Sequence, residues 1–197
     1  MMMRADGSGR HHLTDFGSPF WSPFGRELLI NSYSLPSKPT LFNLETKKGI
    51  VIEVPDHQVF SWPSWVGPRT VVTALAPKET YEGDSIVLLD VSEPAEAKIL
   101  EVLWKRDADL DVVPRWTVFR PGTNQLFFEG VVPKKQGGPP ERRALYSLLR
   151  GESLQAKPFG LVGHEHIPGS TGTGLGSLSF SPDGRYLLID ANGPLRK

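Results

Sequence analysis

The chain has 197 residues, 39% of them hydrophobic and 22% charged, the composition of a soluble globular protein of one domain or two small ones. Its 22 basic and 22 acidic residues cancel, so the basic face that nucleic-acid binding needs is not expected. There is no Cys, which removes disulfides, thiolate metal sites and a cysteine nucleophile, and no apolar run approaches the ~20 residues of a membrane span.

The first stretch, MMMRADGSGRHHLTD, reads as two short strands, 1–4 and 11–14, around a Gly-rich turn at 5–9. It has no apolar signal-peptide core. As written the chain is expected in the cytoplasm, or in the periplasm if an upstream segment precedes it.

Residues 20–32, FWSPFGRELLINS, then give an aromatic strand, the turn Ser22-Pro23-Phe24-Gly25 and an apolar strand. Pro at the second turn position pre-sets φ, and Gly tolerates the positive φ that closes a hairpin. Two further strands are predicted at 40–44 and 50–54. The pattern returns at 60–75, FSWPSWVGPRTVVTAL, around Val66-Gly67-Pro68, with strands following at 85–91 and 98–103. Residues 95–103 carry some helical periodicity, but they follow Pro94 and fit a strand. A third unit opens with WTVFRPGTNQLFFEG, 116–130, and continues with strands at 144–149 and 154–162. The last hairpin turns on Ser181-Pro182-Asp183-Gly184, between strands at 178–180 and 186–190.

The turn glycines Gly25, Gly67, Gly122 and Gly184 recur at intervals growing from roughly 40 to 60 residues, near one propeller blade plus variable loops. The final hairpin has no partner strands after it, and the N-terminal pair has no hairpin before it. Joining the two would hide both sheet edges. The expected fold is therefore all-β: a single β-propeller domain of four-stranded antiparallel blades, about four blade-equivalents. The blades are placed at 17–56, 57–110 and 111–167, with a composite fourth from 172–193 and the N-terminal strands of 1–15.

ADGSGRHHLTD followed by WSPFGRELL, and later FSPDGRYLL, resembles the TolB-like β-propeller repeat. The resemblance is clear at 3–30 and 177–192 and weaker between. It implies rings of six or seven blades, frequent in bacteria, that mostly bind proteins or ligands and also serve as propeller domains of larger enzymes. Four blade-equivalents is small for that family. The chain is expected to close alone, to complete a larger ring as a homo-oligomer, or to be a piece of a longer protein.

Candidate chemistry is sparse. His164 and His166 alternate onto one side of an extended segment and form a pair fit for Zn or Mn, given a third ligand from elsewhere; the competing reading is two loop histidines. Asp107, Asp109 and Asp111 offer oxygens for Ca but lack the Gly and terminal Glu of a calcium loop, so a solvated connection is expected. The Gly-rich run 169–176 lacks the following helix and Lys-Ser/Thr of a phosphate loop, and no Gly-x-Ser-x-Gly elbow occurs. Trp62 and Trp65 flank Pro63, which cannot donate to a strand ladder, so they are the aromatics placed to stack on a sugar or peptide rather than only between blades.

The expected function is a non-catalytic propeller scaffold binding a protein or small ligand on a ring face, with no resident cofactor. Loops 77–84, 133–143 and 163–174 are its contact elements. The alternative is a metal-dependent carbohydrate lyase or hydrolase using His164 and His166, or the propeller portion of a larger enzyme.

Overall fold

Short apolar runs punctuated by Gly and Pro pair with their nearest neighbours along the chain, and the result is a succession of antiparallel meanders. The computed structural model describes residues 18–31, 38–59, 61, 63–80, 82–107, 111–132, 142–151, 157–159 and 175–191. Strands β1 (Ser18–Trp21), β2 (Glu27–Asn31), β3 (Thr40–Asn43) and β4 (Lys48–Val51) form the first sheet in chain order. The second sheet holds β5 (His57–Val59), β6 (Ser64–Gly67), β7 (Thr70–Pro77), β8 (Ser85–Asp90) and β9 (Lys98–Lys105). The third holds β10 (Val113–Phe119), β11 (Gln125–Val132), β12 (Arg142–Leu149) and β13 (Lys157–Phe159). A hairpin of β14 (Leu175–Phe180) and β15 (Leu187–Ala191) follows. The only helical turn among the described residues is a 3-10 turn at Pro94–Glu96, and none of their helices could cross a membrane.

The all-β expectation holds, with local corrections. The first strand of the second unit is two strands, because β5 pairs with the end of β7 and β6 with its beginning. Pro63 lies in the interruption and has no N–H to offer the ladder. Ser61 fills the gap: its Oγ accepts the Ala74 N–H at 2.9 Å, and its carbonyl accepts the Thr73 hydroxyl at 3.1 Å. β13 occupies only 157–159 of the predicted 154–162, whose other residues lie outside the described ones. The N-terminal strands at 1–15, expected to complete the last sheet, lie outside the described residues as well.

The turn glycines divide into two kinds. Gly122 (φ 70°) and Gly184 (φ 67°) take the left-handed conformation, as expected. Gly25 and Gly67 do not. In the first hairpin the Ser22 hydroxyl accepts the Phe24 N–H at 3.3 Å instead, and Gly67 is the last residue of β6, so that turn falls on Pro68-Arg69.

The last hairpin shows what the Ser-Pro-Asp-Gly sequence does. The Ser181 hydroxyl donates to the Asp183 carboxylate at 2.6 Å and accepts the Tyr186 N–H at 3.0 Å. Asp183 also accepts the Arg185 N–H at 3.0 Å. The Ser181 hydrogen bond, followed by that of Arg185, holds the Asp183 carboxyl below its ordinary value.

Packing follows from strand parity. On β7, Val71 and Leu75 join Leu29 and Leu41 of the first sheet and Ile52 and Val54 of the connection that follows it. The alternate residue Val72, with Ile86, Leu88 and Trp104, packs against Leu126, Phe128 and Tyr146 of the third sheet. The third sheet turns Phe127 and Leu145 the other way, onto Leu178 and the half-buried Phe180 and Leu187 of the hairpin. The sheets therefore stack face to face in chain order, and residues 71–76 of β7 are buried throughout because both of its faces are covered. Short polar contacts join the turns of successive units: Arg69 pairs with Glu27 at 2.6 Å, and Arg120 donates to the Gly184 carbonyl at 2.9 Å.

Two outcomes follow. The Tyr146 ring lies over Gly130 and stacks on Phe128 at 5.3 Å, so a Cβ at Gly130 would fall against that ring. Gly130→Ala is expected to cost about 1–3 kcal/mol, visible as a Tm several degrees lower; an unchanged melt would contradict this packing. For Asp183, a lowered native pKa gives stability that is present above the ordinary carboxylate range and lost as pH falls through it. The Tm advantage of wild type over Asp183→Asn should thus be full at neutral pH and shrink on acidification below about pH 4. A gap independent of pH would show that the turn does not use the charge.

Candidate functional site

The first strands of all the units approach one another. Phe20 of β1, Asn31 of β2, Ser64 of β6, Thr117 of β10 and Leu178 of β14 line a cavity of about 20 Å³. The Ser64 hydroxyl donates to the Thr117 carbonyl at 2.6 Å, and the Thr117 hydroxyl donates to the Val72 carbonyl at 3.4 Å, which fastens sheet two to sheet three here. Trp116, beside them, sits at φ 43°, where β10 slips its register against β11 between Arg115 and Thr117. That conformation is uncommon for an aromatic residue and marks local strain. Asn31 is fully buried, and neither its Oδ1 nor its Nδ2 has a hydrogen-bond partner among the described residues.

A larger concavity lies where the first sheet hands over to the second. After β4 the chain runs through Ile52, Glu53 and Val54 and reverses in the turn Val54-Pro55-Asp56-His57, closed by His57 N–H donating to the Val54 carbonyl at 3.2 Å. Asp56 takes φ 60° at that turn, a conformation its short polar side chain tolerates. The backbone of Glu53 is held by the 3-10 turn that joins β8 to β9: its N–H donates to the Pro94 carbonyl at 2.8 Å and its carbonyl accepts the Ala97 N–H at 2.9 Å. The result is a cleft of about 540 Å³ whose lining includes Val51, Ile52, Val54, Val59, Lys38 and Lys78.

Two features organise the cleft's rim. His57 Nδ1 lies 2.9 Å from the Pro55 carbonyl and donates to it, so Nε2 is the ring nitrogen left for other contacts. The Gln58 amide donates to the Pro77 carbonyl at 3.2 Å and also to the Thr80 carbonyl, which ties the turn carrying Lys78 to β5. Lys78 therefore projects from a braced turn.

The sequence candidates fare differently. Trp65 is on β6, half-buried against the cluster shared by sheets one and two, and its Nε1 has no partner among the described residues. Trp62, His164 and His166 lie outside the described residues. Asp111 is engaged by Arg106 at 2.6–2.7 Å, so it braces the connection between sheets two and three; Asp109 lies outside the described residues. No group of three His, Asp or Glu placed to hold a metal occurs among the described residues. At the end of the Gly-rich run, Leu175 and Gly176 open strand β14 rather than a helix. Sequence reasoning did not find the cleft. Its lining comes from positions 38, 51–55, 57–59, 78 and 95, which share no local pattern.

No protein-family model and no curated protein matches the sequence. Solved structures do. TolB from Acinetobacter baumannii matches over 95% of this chain and 41% of its own, with TM-score 0.57 and 16% identity. The dihydro-heme d1 dehydrogenase NirN, in complex with DHE, matches over 90% of this chain and 32% of its own, with TM-score 0.47 and 20% identity. The β-propeller domain of Myceliophteria thermophila Cps50 (Swd1) matches over 89% of this chain and 62% of its own, at TM-score 0.37 and 14% identity. The TolB likeness is one of fold, and the chain spans about two fifths of that protein's length.

The unpartnered carboxamide yields a direct test. Burying an amide without a hydrogen bond is costly, whereas an apolar group of similar volume is not. Asn31→Leu should raise the Tm; a lower Tm would show that the amide is satisfied in the folded protein.

Proposed function

We propose that this chain, which has the fold of a β-propeller, is a non-catalytic binding module that takes a protein or small ligand at the cleft between its first and second sheets and on the loops beside it. The observation that carries this reading is the cleft itself. Its volume of about 540 Å³ lies in the range of small-ligand sites, and its lining joins apolar residues of β4, β5 and the connection between them to a few polar groups on the rim. The loop at 77–84 contributes Lys78 to that rim, and its Thr80 carbonyl is held by Gln58. Of the other two expected contact loops, 133–141 and 163–174 lie outside the described residues. Fold alone assigns no partner, since propellers carry many unrelated activities.

Replacing residues 78–82 with a Gly-Ser linker of equal length tests this reading. Those residues belong to a connection, and the exposed Glu82 lost with them leaves Arg106 its second partner Asp111, so the Tm should move by less than about 2 °C, while capture of any partner in a quantitative pull-down is lost. Undiminished capture would place the binding surface elsewhere.

A further inference from the structure

We propose that the cleft between the first and second sheets binds a small amphipathic anion: a molecule with an apolar body and a single carboxylate or phosphate group. The inference rests on the reading of this chain as a binding module and names the ligand chemistry. Three observations support it.

The floor is apolar. Ile52, Val54 and Val59 are buried members of the core cluster, and Val51, 36% exposed, extends the same surface outward. An aliphatic or aromatic body laid here gains roughly 25 cal/mol for each Å² it removes from water.

The rim is cationic. Lys38 and Lys78 both line the cleft, and neither has a carboxylate within salt-bridge distance among the described residues. This contrasts with the arginines nearby, since Arg69 and Arg106 are paired at 2.6 Å. Glu53 is the one carboxylate among the lining residues, so two lysines face one opposing charge. Other exposed lysines, Lys47, Lys48, Lys98 and Lys105, are likewise without a salt bridge among the described residues, and what sets Lys38 and Lys78 apart is that they line an apolar cleft.

The donors are positioned. Gln58 braces the turn of Lys78, and the Pro55 carbonyl orients the ring of His57, a lining residue, leaving its Nε2 free of that hydrogen bond as a third polar group. Two cations in a cleft of this size suit one compact anionic group. They are too few for a polyanion, and the chain's zero net charge adds no long-range attraction for one.

The test is an NMR titration of the whole chain with four probes: octanoate, octyl phosphate, octylammonium and inorganic phosphate. Octanoate or octyl phosphate should shift the amides of residues 51–59 and 78 saturably, and which binds tighter identifies the anionic group. Octylammonium and inorganic phosphate should bind at least about tenfold more weakly, because one lacks the charge and the other the apolar body. Lys38→Gln with Lys78→Gln should weaken octanoate binding by a similar factor without lowering the Tm. Equal binding of octylammonium, equal binding of inorganic phosphate, or shifts confined to other residues would each overturn the proposal. If no probe binds while linker replacement of 78–82 still abolishes partner capture, the anion inference fails and the binding-module reading stands. If octanoate binds but capture survives that replacement, the cleft takes small ligands and the protein-contact surface lies elsewhere.

Discussion

The architecture depends on one constraint: a β-strand shows alternate residues to opposite faces, and in this chain both faces of the middle sheets are apolar. Val71 and Leu75 point toward the first sheet, whereas Val72, between them, points toward the third. A sheet that must bury both faces cannot lie at a surface. It has to sit between two others, and short connections make those the sheets before and after it in the chain. The same alternation puts Phe128 against Trp104, at a ring separation of 5.6 Å, and Phe127 against Phe180, at 5.4 Å, on opposite sides of β11. Where the stacking stops, so does the burial: Leu188 of β15 is 68% exposed, although its neighbour Leu187 is half-buried against the third sheet.

Stacking by faces leaves the inner and outer strands to be settled by other means, and these places carry the polar and strained features. Ser61, Ser64 and Thr117 supply hydrogen bonds where the ladder is interrupted or where two sheets meet edge to edge. Trp116 takes its unfavourable backbone angle where β10 slips by a residue, directly before Thr117, whose hydroxyl donates to the Val72 carbonyl. At the outer side, the step from β4 to β5 must cross from one sheet to the next. The turn at Pro55-Asp56 that makes this crossing leaves a concavity between the two sheets with apolar residues along its lining, and the cleft is a consequence of that crossing.

Much of this was legible in the residues. The Ser-Pro-Asp-Gly sequence fixes its own hairpin by hydrogen bonds within six residues, so a local reading suffices. Runs such as VVTALA and LFFEGVV advertise strands covered on both faces. The split of the second unit's first strand was half legible: Pro63 signals an irregularity, but β5 is visible only because His57, Gln58 and Val59 meet Pro77, Ala76 and Leu75 in space. The motif reading overextended at Gly25 and Gly67, where a serine hydroxyl and a shifted turn remove the need for positive φ. The cleft was not legible at all, because Lys38, His57 and Lys78 are brought together by sheet stacking and share no local pattern.

The alternation of faces is open to a direct measurement: methyl and aromatic NOEs on selectively labelled protein. The account predicts that Val71 and Leu75 methyls show NOEs to Leu41 and Ile52, and that Val72 and Leu88 methyls show them to the rings of Phe128 and Tyr146. Finding Val72 beside Leu41, or Val71 beside Phe128, would reverse the faces of the second sheet and contradict the stacking on which the cleft depends.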